Sequence, residues 1–119
     1  MRLRMRRGKK LNVSKFKEQW IELQKFCSSK DTWPLAVINA DKLLDDALKK
    51  KRLKGKSMGE RLVQAQHELT DNDAVWFAHN LAKKLLNEAV PRLREADVKK
   101  SLVGVRQALR DLGALHDKQ

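Results

Sequence analysis

The stretch "VWFAHNLAKKLLNEA", residues 75–89, decides whether this chain is helical. Val75, Ala78, Ala82, Leu85, Leu86 and Ala89 recur at steps of three and four, the repeat of one buried helix face. Opposite them on a helical wheel, Asn80, Lys83, Lys84 and Asn87 share a polar stripe. His79 falls on the boundary, beside Trp76, Lys83 and Leu86. Periodicity leaves two readings of the stripe open. It is a solvated helix face, or it is the floor of a cleft on which an RNA strand or nucleotide rests.

The same period runs outward in both directions. Val13, Phe16, Trp20, Leu23 and Cys27 draw a helix from Asn12 or Val13 to about Ser28, broken by "SSKDTWP". Pro34 suits the first turn of a second helix, where a missing N–H costs little. Val37, Ala40, Leu44, Ala47 and Lys51 continue that helix, with Trp33, Ala36, Leu43 and Leu48 widening its apolar side. "RLKGK" follows as a loop in which Gly55 is free to take a positive φ. "SMGE" at residues 57–60 is a capping box for a third helix, with Met58, Leu62, Ala65 and Leu69 facing inwards. "TDND" at residues 70–73 offers capping oxygens for the fourth helix, and Pro91 ends it. Asp97 is expected to cap the fifth, through Val98, Leu102, Val105, Leu109 and Leu112 to Gly113 in a left-handed C′ position. The predicted fold class is all-α, an antiparallel bundle of four long helices and one shorter one. Residues 12–113 form the domain, residues 1–11 a basic flexible arm and 114–119 a C-terminal tail.

A chain of 119 residues is long enough for one modest core. No stretch is apolar for long enough to span a membrane, and the basic N-terminus lacks the apolar segment of a secretory signal. The single cysteine, Cys27, has no internal disulfide partner, which fits a reducing cytoplasm. On its apolar helix face it is expected to be buried and inert.

Charge is more informative once located. "MRLRMRRGKK" carries Arg2, Arg4, Arg6, Arg7, Lys9 and Lys10 with no acid. "KKKRLKGK", residues 49–56, carries Lys49, Lys50, Lys51, Arg52, Lys54 and Lys56, again with no acid. These blocks hold 12 of the 27 basic residues, so the rest of the chain, with 15 acids, is neutral and the whole +12 excess lies in the blocks. That placement points to contact with a localised polyanion. Asp41, Asp45 and Asp46 have no histidine at ligand spacing, so a metal is not expected; an interhelical pair with Arg61, or simple solvation, is. No glycine-rich phosphate loop is present, and no cofactor is implied. Gly104 reads as a site of close helix approach.

"ADKLLDDAL", "GKSMGERL" and "VWFAHNLAKKLLNE" together resemble the HEPN superfamily, above all its compact members in small-genome bacteria, over residues 33–112. The resemblance implies a helical bundle that commonly dimerises, and, in active members, metal-independent ribonuclease chemistry within a phrase like H-x-L-R-N-x-I-x-H-E. On this chain the phrase begins at His79 and keeps Leu81, Leu85 and Glu88, but the arginine position is Ala82 and the histidine position is Asn87. Metal-free cleavage of RNA needs a proton-exchanging group and a fixed cation near the phosphate. Asn87 exchanges no proton near neutral pH, and Ala82 carries no charge. His79, Asn80, Lys83, Lys84 and Asn87 remain as a candidate cleft without that chemistry.

Four functions stay open at this point: docking of the basic arm on anionic lipid, a non-catalytic module for RNA or protein contact, a ribonuclease using shifted residues such as His79 and Lys83, and an interaction domain. The last would be a homodimer or the antitoxin-like partner of a nucleotidyltransferase.

Overall fold

A computed structural model of the chain describes residues 10–88 and 92–116. Among them every regular element is helical: α1 (Val13–Gln24), two 3₁₀ turns (Lys25–Ser28 and Lys30–Thr32), α2 (Trp33–Lys50), α3 (Met58–Gln64), α4 (Asn72–Asn87) and α5 (Glu95–Asp111). No described helix is long and apolar enough to cross a membrane.

Each start is fixed locally. The side chains of Asn12, Ser57 and Asp71 accept from the amides of Lys15, Glu60 and Ala74, each meeting a backbone donor that the first turn leaves unpaired. Glu60 reaches back to the Lys56 amide at 2.8 Å, one residue earlier than a strict capping box. Pro34 stands in the first turn of α2. Asp97 is not the cap of α5: that helix starts two residues earlier, behind Arg94, and Asp97 lies in its first turn with Arg94 3.4 Å away.

The ends of α2 and α5 share one design. After α5, Gly113 takes φ +84°, its N–H donates to Arg110 O at 3.0 Å, and Ala114 N–H donates to Leu109 O at 2.8 Å. After α2, Arg52 takes φ +64°, with Arg52 N–H on Lys49 O at 2.9 Å and Leu53 N–H on Leu48 O at 3.1 Å. Both are Schellman caps, and both bury the residue that follows. The left-handed residue of the first cap is therefore Arg52, not the glycine three positions on. Gly55 does take a positive φ, +159°, outside the cap, and is needed for space as well, since a Cβ there would stand 2.8 Å from the Arg61 amide nitrogen and from Glu60 Cβ.

The core gathers Phe16, Trp20 and Leu23 of α1, Leu44 and Leu48 of α2, Leu62 of α3, Val75 of α4, and Val105 and Leu109 of α5. Leu11 at one end and Ala114 and Leu115 at the other are also buried, so packing extends past both sequence-expected limits of the domain. A second cluster of Val37, Ala82 and Val98 closes the far end of α2, α4 and α5. α4 and α5 approach closely at Gly104, where an added Cβ would lie 2.9 Å from Ala74 Cβ and 3.0 Å from Ala74 O.

Two expectations about side chains fail. Cys27 is exposed, because α1 tightens into a 3₁₀ turn at Lys25 and loses the α period that placed Cys27 on the buried face. Such burial as it has raises its thiol pKa, which disfavours the reactive thiolate. Leu86 is 61% exposed, one step round the helix from half-buried Leu85. Ala89 and Pro91 lie outside the described residues.

Candidate nucleic-acid interface

The C-terminal end of α2 and the chain entering α1 meet in a groove of about 450 Å³ lined by Lys10, Leu11, Asn12, Lys15, Phe16, Gln19, Asp46, Lys49, Lys50 and Arg52. Lys10, the last residue of the first basic block, thus shares one surface with Lys49, Lys50 and Arg52 of the second, nearly forty residues on in sequence. Five cations face a single carboxylate there. Lys50 Nζ lies 3.3 Å from Asp46 and 5.9 Å above the ring of Phe16, so that pair is already committed within α2. Lys49 sits 3.7 Å from Asp45 but its side chain is 60% exposed, an arrangement of small energetic weight that a stronger anion can displace. Lys10, Lys15 and Arg52 make no ion pair among the described residues. Lys51 is half-buried, while Lys54 and Lys56 are exposed on the loop beyond. Arg2, Arg4, Arg6, Arg7 and Lys9 lie outside the described residues.

The loop that carries this charge is anchored from α3. Arg61 donates to both carboxylate oxygens of Asp45, at 2.7 and 2.8 Å, and to Gly55 O at 2.7 Å. Hydrogen bonding to Asp45 raises the guanidinium pKa further. The Arg61 pairing foreseen from sequence is present, and it uses the fork geometry that lysine lacks.

The candidate cleft on α4 is not brought together. Asn80, Lys83, Lys84 and Asn87 are exposed, as the polar stripe requires. His79 departs from it: the residue is buried, and Nδ1 lies 3.2 and 3.1 Å from the two carboxylate oxygens of Asp41. Its ring meets Trp76 edge to face, with centroids 5.8 Å apart. Ala82, which the sequence resemblance sets at the HEPN arginine position, is 1% exposed and packs with Val37 and Val98. Asn87, the histidine position, is exposed and donates to Lys83 O at 2.8 Å. Neither the basic groove nor two further grooves, about 560 Å³ between α1 and α2 and about 720 Å³ between α4 and α5, is lined by any of the five cleft residues.

Asp41 and His79 are the functional-looking pair that sequence spacing misses. The signal was present: Asp41 lies four residues after Val37 and three before Leu44, in the middle of the apolar face of α2. Burial raises the Asp41 carboxyl above its ordinary value, and the His79 hydrogen bond and charge offset only part of that. A group whose folded pKa is raised favours the fold below its unfolded pKa, and that contribution is lost as pH rises through the folded pKa. Asp41→Asn keeps an acceptor for a His79 Nδ1–H but cannot ionise. Its stability relative to wild type should therefore improve as pH is raised from below the ordinary aspartate range towards neutrality. Asp41→Ala, which strands the imidazole, should cost about 1–3 kcal/mol at neutral pH. Urea unfolding of the three proteins across that range measures both effects. Among the described residues no group of three or more histidine, cysteine or acidic side chains is placed to hold a metal ion.

No protein-family model, curated protein or solved structure matches this chain.

Proposed function

We propose that this is a non-catalytic helical module that binds RNA through the groove between the start of α1 and the end of α2, in a domain of HEPN-like type. The observation that carries the reading is the meeting of Lys10 and Lys15 with Lys49, Lys50 and Arg52 on one surface lined by a single acid, Asp46, with Asp45 beside Lys49 at 3.7 Å. Clustered cations beside a polyanion release its condensed counterions, a driving force that requires no reading of bases. The non-catalytic part is supported by the separation of the motif positions: Ala82 points into a core cluster while Asn87 stands in solvent. His79, the remaining candidate base, has one ring nitrogen held by Asp41 in the interior.

The test is fluorescence anisotropy of a labelled generic RNA, titrated at several salt concentrations. With roughly four uncompensated cations, the logarithm of affinity should fall with the logarithm of salt at a slope of about −3 to −4. A Lys10→Glu/Lys49→Glu protein should lose most of the binding. Absence of binding by the wild type at low salt overturns the proposal, as does binding that is insensitive to salt.

A further inference from the structure

Two helices of this chain end in the same cap, yet they fill its left-handed position differently. Gly113 occupies it after α5 and Arg52 after α2, with matching pairs of backbone hydrogen bonds. Glycine takes that conformation freely, whereas a side chain brings its Cβ against the neighbouring backbone. Nothing in the cap itself calls for an arginine. The hydrogen bonds are made by main-chain groups, and the buried apolar residue that completes the motif is Leu53. Strain held at a position that another residue would relieve points to work done by the side chain.

That side chain lines the basic groove and has no ion-pair partner among the described residues. Its neighbours there are Lys49 and Lys50 on the last turn of α2, with Lys10 and Lys15 across the groove. All four are point charges; among the described residues lining the groove, Arg52 alone has a planar fork, the geometry that matches two oxygens of a phosphate. The groove's aromatic residue, Phe16, is only 2% exposed and lies beneath Lys50, so it presents no free ring face to a base.

We propose that Arg52 is the phosphate anchor of this groove, clamping one backbone phosphate of RNA through both sides of its guanidinium while the bases go unread. The inference rests on the RNA-binding reading above, and goes beyond it in naming the residue, the atoms recognised and a stability cost carried for binding.

The experiment compares wild type, Arg52→Gly, Arg52→Lys and Lys99→Ala, using labelled oligouridine and oligoadenosine at low salt together with thermal unfolding. Arg52→Gly should melt a few degrees higher than wild type, because glycine relieves the left-handed backbone. Its affinity should fall about ten-fold, the loss of a charge-assisted bidentate contact. Arg52→Lys should melt near wild type and bind between the two, while Lys99→Ala, one charge removed on α5, should change affinity by less than about two-fold. The two oligonucleotides should bind alike. If wild type binds and Arg52→Gly binds equally well, the anchor assignment falls and the groove reading stands. If wild type does not bind, both fall. An Arg52→Gly protein that melts lower than wild type removes the strain argument, and a marked preference between the two oligonucleotides removes the phosphate-only recognition.

Discussion

Gly104→Val should lower the stability of the protein by about 3 kcal/mol, near the upper end for overpacking a tight interior. A side chain at this position begins 2.9 Å from Ala74 Cβ and 3.0 and 3.1 Å from the Ala74 carbonyl oxygen and carbon. The last two are backbone atoms of a helix, so relief requires α4 and α5 to separate along the length they share. Chemical denaturation measures the loss, and a melting temperature lower by roughly 10 °C should accompany it. Gly104→Ala should fall between, since its helix propensity gain of about 1 kcal/mol offsets part of the clash. Combining Ala74→Gly with Gly104→Ala should recover only part of the loss, because the carbonyl remains. An unchanged stability for Gly104→Val would mean that the two helices pack less closely than described.

The second large effect concerns Ala82 and Asn87, the two positions at which the sequence resemblance to the HEPN motif breaks. Restoring it by Ala82→Arg/Asn87→His should disrupt the fold and produce no nuclease. Ala82 is 1% exposed between Val37 and Val98, and a guanidinium there would be buried without a partner, at a cost of several kcal/mol. Asn87→His alone, on an exposed face, should alter stability by less than about 0.5 kcal/mol. Circular dichroism and metal-free RNA cleavage assays on all three variants separate the effects. A folded double variant that cleaves RNA would show that the two positions share a surface after all.

The helical architecture was legible because its signals are local and redundant. Periodicity placed Phe16, Leu44, Leu62, Val75 and Leu109 in the core, and the capping oxygens of Ser57 and the "TDND" segment were visible as residue types. What escaped depended on neighbours remote in sequence or on a change of helical pitch. Cys27 left the buried face when the α period gave way to a 3₁₀ turn. His79, on a wheel a boundary residue, is claimed by Asp41, which lies 38 positions away on another helix. The basic residues could be counted from the sequence, but the meeting of Lys10 with Lys49, Lys50 and Arg52 in one groove depends on how α1 packs against α2. Arg52 was readable only as one cation among many, since a left-handed arginine has no residue-type signature of the kind glycine gives.

The Asp41–His79 contact also bears on how the helices are aligned. Leucine and alanine faces tolerate sliding, because one apolar contact resembles the next. Shifting α4 by one turn in the direction that brings Val75 opposite Asp41 would leave a carboxylate facing hydrocarbon. The interior of this bundle thus carries a notch that favours the observed alignment, and a protein with both residues made apolar would have less to choose between neighbouring registers.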